Sequence, residues 1–438
     1  MSSLDAAPAL SREDTKNRLL IIGYVWPEPR SSAASGHMMQ LIQCFLEHDW
    51  QITFASPATE GEHRADLVSL GISEVRIALN CSTFDTFVAG LQPHVVLFDQ
   101  FMIEEQFGWR VEQQCPDALR ILETSDFQSL RHARHQMLKD RPDDLPGLFA
   151  ASASDLFAQI AASDLAQREV ASLYRCDLNL MTSDVEIELL TGQFGLAASL
   201  LHWCPLMINA VPDHARPFDE RAHFLSIGNF RHAPNWDAVL WMKTAIWPLI
   251  RKQLPDAQLH IYGAYTPPKA TALHNAAQGF HIMQWAEDAL QVMSQARVCL
   301  APLRFGAGIK GKFMDAMLCG TPSVTTPIGS EAMSGGLPWP GAIASDPAQI
   351  AAAAVQLYRN RTLWLEAQRA GWVLLQARYR QQQHSASLME RIEILRSNLP
   401  AHRLANFTGA MLRHHHHKST KYMAQWIEAK NRHKDEGI

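Results

Sequence analysis

Residues 301–326 read Ala301-Pro-Leu-Arg-Phe-Gly306-Ala-Gly308-Ile-Lys310-Gly-Lys312-Phe-Met-Asp315-Ala-Met-Leu-Cys-Gly320-Thr-Pro322-Ser-Val-Thr-Thr326, and the order of residue types in this stretch decides the fold. An apolar run over 298–303 ends in a glycine-rich turn, and a helical pattern over 309–318 follows. In an open parallel sheet, ligands gather at the carboxyl ends of the strands. A helix that begins there offers unpaired backbone N–H groups and a partial positive charge to a phosphate. Gly306 and Gly308 let the backbone approach such a group, Ile309 opens the helix, and Lys310 and Lys312 add formal charge. Asp315, one turn on, is placed to accept hydrogen bonds from a ribose or sugar hydroxyl. By itself the stretch also fits a plain loop running into a solvated helix face.

Working outward, strand-like runs at 223–228, 258–263, 298–303 and 323–326 alternate with helical patterns at 235–253, 288–296, 309–318 and 347–358. The half before it has the same grammar: strands at 18–25, 51–56, 94–99, 119–123 and 177–183, with helices such as 37–47 and 152–174. Alternation of this kind predicts parallel sheets covered on both faces. Between the halves, Pro205, Pro212 and Pro217 with Asn209 and Asp213 read as a linker. The predicted fold class is α/β: two Rossmann-like, doubly wound domains plus a helical C-terminal extension. The expected boundaries are a polar leader (1–17), a first domain (18–210), a linker (211–221), a second domain (222–395) and a basic helical tail (396–438).

At 438 residues, 47% hydrophobic and 19% charged, the chain is long enough for two buried cores. A net charge of −5, with basic residues scattered except near the C-terminus, argues against a nucleic-acid binder driven by phosphate attraction. Seven cysteines without a CxxC pair read as free thiols in a reducing compartment. The polar start lacks the basic-then-apolar pattern of a signal peptide, and no run reaches the ~18 apolar residues of a membrane span. A cytoplasmic protein is expected.

The run Gly306-x-Gly308-x-Lys310-x-Lys312-x-x-Asp315-Ala-Met317-x-x-Gly320-x-Pro322, continued by Thr326-Pro-Ile-Gly329-Ser-Glu331, resembles the C-terminal signature of retaining glycosyltransferases of family 4, the glycosyl transferases group 1. Phe224-Leu-Ser-Ile-Gly228-Asn-Phe-Arg231-His-Ala-Pro-Asn235 is similar to the opening strand and turn of their donor domain. Trp285-Ala-Glu-Asp288 falls where that family sets a loop against the nucleotide base. The resemblance spans about residues 18–395. It implies a GT-B fold, with the acceptor on the first domain and a nucleotide-sugar co-substrate mostly on the second, and no metal or further cofactor. Arg231 and Lys310, with Lys312 in reserve, are implied to meet the charge of the departing diphosphate. Gly36, Gly228, Trp285, Gly306, Gly308, Ile309 and Asp315 complete the implied donor site. The chain departs from the family in one respect. Many members carry two glutamates eight positions apart; here the second is Asp315 and the first is Ala307.

In the first half, Pro27-x-x-x-Ser31-Ser-Ala-Ala-Ser-Gly36-His37 joins the first strand to the first helix, and the resemblance sets Gly36 near the donor phosphates. Glu123-Thr-Ser-Asp126-Phe-Gln-Ser-Leu-Arg131 resembles an Asp-x-His-x-x-Arg pattern with Gln128 at the histidine. His37, Asp99, Asp126 and Arg131 are the acceptor-side candidates, Asp126 also a catalytic one; Asp126 and Arg131 read equally well as a structural ion pair. His414 to His417 read as a solvated or interface helix rather than a metal site, since consecutive histidines diverge around a helix. With Lys418, Tyr422 and Trp426 that helix either docks on the first domain or meets a partner, and its basic end raises peripheral membrane contact.

The leading expectation is transfer of a hexose-type sugar to a hydroxyl of a glycan, a lipid-linked saccharide or a small molecule. A sugar-nucleotide epimerase and a non-catalytic scaffold of the same fold are the alternatives. Base, sugar, acceptor and oligomeric state stay open.

Overall fold

The computed structural model describes residues 16–435; the side chains of His417 and of residues 432–435 lie outside that description, as do the expected polar leader up to residue 15 and the last three residues. The first sheet has seven parallel strands: β1 (Arg18–Ile22), β2 (Gln51–Ser56), β3 (Ser73–Arg76), β4 (Val95–Asp99), β5 (Leu119–Glu123), β6 (Leu178–Met181) and β7 (Leu201–Trp203). Their spatial order is β3-β2-β1-β4-β5-β6-β7. The second sheet has six: β8 (Ala222–Ile227), β9 (Leu259–Tyr262), β10 (Phe280–Gln284), β11 (Ala296–Leu300), β12 (Ser323–Thr325) and β13 (Gly341–Ile343), in the order β10-β9-β8-β11-β12-β13. Each is a doubly wound sheet whose order reverses once, between β1 and β4 and between β8 and β11. Those reversals are where such sheets open a crevice at the strand ends.

The central strands are largely apolar because both faces are covered. Leu20 and Ile22 of β1 pack with Val96 and Phe98 of β4 on one face, while Leu19 and Ile21 pack with Val95 and Leu97 on the other. The period of two in a strand's side chains sends alternate residues into the two cores. β3, β7, β10 and β13 escape a reading based on apolar runs. They are edge or near-edge strands of three to five residues, and Ser73–Arg76 is polar and only partly buried. The long helix expected over 152–174 is two helices, Ala153–Ala161 and Asp164–Arg175, because Ser163 caps the second by accepting from the Ala166 amide.

The chain crosses between domains twice. After β7 it passes through the proline-bearing linker. After the helix Arg361–Arg378 it returns, so that the helix Gln381–Ser397 sets Leu388, Met389, Ile392 and Leu395 in the core of the first domain. The expected end of the second domain at 395 therefore moves back to Arg380. The boundary is set by which sheet those apolar side chains cover. The two crossovers pair with each other: Ile208 N donates to Tyr379 O (2.7 Å) and Gln381 N to Ile208 O (2.8 Å). Helices Leu399–Ala405 and Phe407–Asp435 then run along the first domain, against the helices Phe101–Gln114 and Asp164–Arg175.

All seven cysteines are free, five of them buried. Among the described residues no helix is long and apolar enough to cross a membrane.

Candidate functional site

The carboxyl ends of both sheets face one cavity of about 1170 Å³. On the first domain, β1 runs into a loop that ends at Ser32, whose side chain accepts from the Ser35 amide and starts the helix Ala33–Leu46. Gly36 lies in the first turn, where a Cβ would meet nothing closer than Pro29 O at 4.0 Å. On the second domain, the loop after β11 leads into the helix Gly311–Leu318. The two helix starts abut: a Cβ on Gly311 would lie 2.6 Å from the Cβ of Ala33. Two positive helix ends thus converge on one wall of the cavity.

Glycine has a specific reason at two further points. Gly308 has φ +63°, and a Cβ there would come within 2.8 Å of Ser125 O and 2.9 Å of the Asp126 Cβ. Gly308 is therefore pressed against the first domain, and its N–H donates to Glu186 Oε1 (2.5 Å) rather than facing the cavity. Gly228, at the end of β8, is packed against the amide of Asn235, which a Cβ would overlap at 2.6 Å.

The cations expected from the sequence gather here. Lys310, Lys312, Arg231 and Arg131 all line the cavity, as do Gly36, His37, Asp99, Asp126, Gly228, Gly306, Ile309 and Asp315. Lys310 Nζ donates to Gly308 O (2.7 Å), and burial pulls it down to about 8 against the attraction of Glu331. Lys312 Nζ donates to Asn235 Oδ1 (2.7 Å), and burial likewise lowers it to about 8. Asp315, on the next turn, is pushed up to about 7 by burial. At the rim, the Arg231 guanidinium stacks 3.6 Å over Tyr265, whose hydroxyl donates across the cleft to Glu28 (2.7 Å).

On the first domain, Asp126 pairs with Arg131 Nε at 2.8 Å. Burial raises the Asp126 carboxyl, and Arg131 and Lys310 oppose that rise. Asp99 accepts from Tyr24 N (3.0 Å) and is pushed up to about 7 by burial and then by Glu123. His37 is almost fully enclosed and meets Glu123 through Nδ1 at 3.2 Å, so its ring is held rather than free to reach an acceptor.

Trp285 falls outside the cavity. It stacks on His63 of the first domain, centroids 4.3 Å apart, and the following residues Glu287 to Gln291 line the cavity instead. Ala307 lines the cavity and packs against the first domain's core.

Two residues that sequence reasoning missed tie the glycine loop to the first domain. Arg134 donates to Gly306 O (2.9 Å) and forks onto Glu331 at 2.6 and 2.7 Å. Glu186, wholly buried, joins Gly308 N to Phe127 N (3.1 Å). Arg134 lies one turn after Arg131, a spacing that puts both on the side of their helix turned to the cleft. That spacing was the available signal. Ser183-x-x-Glu186 reads as a local capping box, which hides its long-range role. Among the described residues no group of three or more His, Cys, Asp or Glu is arranged to hold a metal ion.

The family model described as Glycosyl transferases group 1 matches residues 221–360, the second domain. No curated protein sequence matches. Solved structures match over most of the chain at low identity. Sucrose-phosphate synthase from Thermosynechococcus elongatus is 15% identical, covering 87% of this chain and 99% of its own, with a TM-score of 0.62. A glycosyltransferase from Rickettsia africae is 8% identical over 87% and 99%, with a TM-score of 0.62. HepE of Anabaena in complex with UDP-glucose is 10% identical over 86% and 100%, also with a TM-score of 0.62. The two facing domains have the GT-B fold, and the second of them is similar to the group 1 glycosyl transferases.

Proposed function

We propose that the chain transfers a hexose-type sugar from a nucleoside diphosphate sugar to a hydroxyl of a glycan, a lipid-linked saccharide or a small molecule, with retention at the anomeric carbon and without a metal ion. The observation that carries this reading is the wall where the helix starts at Ala33 and Gly311 abut beside Lys310, Lys312 and Arg231. Such a wall suits a diphosphate. A cavity of about 1170 Å³ has room for a donor with part of an acceptor.

In the proposed reaction the bond from the anomeric carbon to the diphosphate oxygen breaks as the acceptor oxygen bonds to that carbon. The acceptor's proton passes to the departing phosphate oxygen. Lys310, Arg231 and the helix ends meet the charge that develops there, a role worth on the order of 10²–10³ in rate per donor group. Asp126 and Arg131 orient the acceptor. Asp315 receives a donor hydroxyl, and Ala307 leaves the sugar without the carboxylate that many group 1 enzymes present there. The reaction runs in the cytoplasm, on the inner side of the membrane where the acceptor is lipid-linked. Because the Anabaena relative was solved with UDP-glucose, uridine donors are the first to try.

The test is a thermal-shift panel of UDP, GDP, ADP, TDP and CMP with their sugars, repeated on Lys310→Ala. A ligand bound only by the folded state raises its stability by mass action. One selective shift, lost in Lys310→Ala along with turnover, supports the reading. No shift at millimolar ligand, or full turnover by Lys310→Ala, overturns it.

A further inference from the structure

The helix Phe407–Asp435 is held to the first domain along one side. Gly409, Arg413 and Ala424 are its buried positions, four and eleven residues apart, which puts them on one face. Arg413 pairs with Glu112 at 3.2 Å, Ser82 Oγ donates to Glu428 (2.6 Å), and a Cβ on Gly409 would meet Tyr174 O at 2.1 Å. The helix is therefore fixed in rotation as well as in position.

That rotation turns a second stripe to solvent. Phe407, Met411, His415, Lys418, Tyr422 and Trp426 follow one another at three- and four-residue spacing, on the side opposite Arg413. Phe407, Tyr422 and Trp426 are 69, 64 and 59% exposed, values ordinarily avoided for aromatics in a row. The stripe is about 28 Å long at the helical rise per residue. Lys421 and Lys430 flank it, and the Lys430 ammonium lies 5.0 Å from the Trp426 ring. Between residues 404 and 431 the sequence has one carboxylate, Glu428, and that one engages Ser82.

We propose that this stripe docks the protein on an anionic lipid bilayer, the helix lying in the headgroup plane with Phe407, Tyr422 and Trp426 inserted. Aromatic residues interleaved with lysines suit that boundary, where rings find acyl chains and ammonium groups find acidic headgroups. A second copy of the chain is a poorer occupant. Two-fold antiparallel pairing gathers Lys418 of both copies near the middle of the contact, where like charges repel. The proposal stands independently of the donor chemistry.

The test is co-sedimentation of the full chain, without nucleotide, with vesicles of phosphatidylcholine and phosphatidylglycerol in equal parts and with phosphatidylcholine alone. The expected result is partition onto the anionic vesicles only, weakening as salt rises. The double variant Tyr422→Ala/Trp426→Ala should lower that partition about tenfold and Lys418→Glu about fivefold or more. Both change exposed side chains, so thermal unfolding should stay where it is in the parent chain. Equal partition onto both vesicle types, no partition, or a dimer in solution that the double variant dissociates would each overturn the proposal. Donor-induced thermal shifts, read in the same preparations, report separately on the transferase reading.

Discussion

Glu186 and Gly308 lie on opposite domains, yet the Glu186 carboxylate accepts the Gly308 amide at 2.5 Å with no solvent exposure. Its other oxygen takes the Phe127 amide, so one side chain holds a first-domain loop and the glycine loop in register. Burial, and then the neighbouring Asp126, push its carboxyl up to about 8. Glu186→Gln presents an NH2 group to one of these two N–H donors and loses that bond, a loss of about 1–3 kcal/mol when the donor stays buried. The expected outcome in steady-state kinetics is a rise in donor KM of roughly tenfold with a smaller change in kcat. An unchanged KM would show that the loop keeps its place without this contact.

Donor affinity should depend on pH on the alkaline side. Lys310 and Lys312 both sit near 8 instead of the ordinary 10.5, burial being the main cause. Below about 7 both are charged, so neither lysine contributes a pH dependence there. Above 8 each loses its proton, and affinity falls by up to about tenfold per pH unit for each proton the complex requires. Calorimetric titration of UDP across this range checks it. Lys312→Arg, whose charge persists, should move the decline to higher pH.

The contact between helix starts has a direct steric test. Gly311→Ala adds a Cβ within 2.6 Å of the Ala33 Cβ and must push the domains apart there. Donor affinity should drop by an order of magnitude or so, given the geometric demands of such a site. Ala33→Gly removes the obstructing atom, so the double variant should recover most of the loss. Equal affinity of single and double variants would place the effect elsewhere.

A ladder of histidines on the second sheet bears on acid stability. His223 stacks 4.0 Å from His260 and is pushed down to about 4 by burial and then by that neighbour. Its ordinary value is 6.5, so between about 6.5 and 4 the unfolded chain takes up the proton and the folded one does not. Its contribution to stability is therefore fully present above 6.5 and lost as pH falls through that window. Unfolding midpoints of His223→Gln should fall less steeply with acidification than those of the parent chain.

The strands that carry the site were legible because parallel strands buried on both faces leave long apolar runs: 51–56 and 119–123 are residue for residue the strands β2 and β5. The short strands β3 and β7 were not, since an edge strand needs no such run. Lys310, Lys312 and Asp315 could be placed because turn, helix start and charge lie within ten residues. What the sequence could not show is which of these side chains look across the gap. Gly308 reads as an open cradle but packs against Asp126, and Trp285 reads as a base contact but stacks on His63. Long-range packing decides both, and local spacing carries no record of it.

The return of the chain at Arg380 has a consequence for biosynthesis. The first domain lacks Leu388, Ile392 and Leu395 until the helix Gln381–Ser397 has been made, and that helix is synthesised after the whole of the second. A ribosome therefore delivers a complete second domain while the half begun earlier still exposes part of its core. During that interval the unfinished sheet is a natural client for a chaperone, and any stop codon before the helix should leave an aggregating fragment rather than an independent first domain.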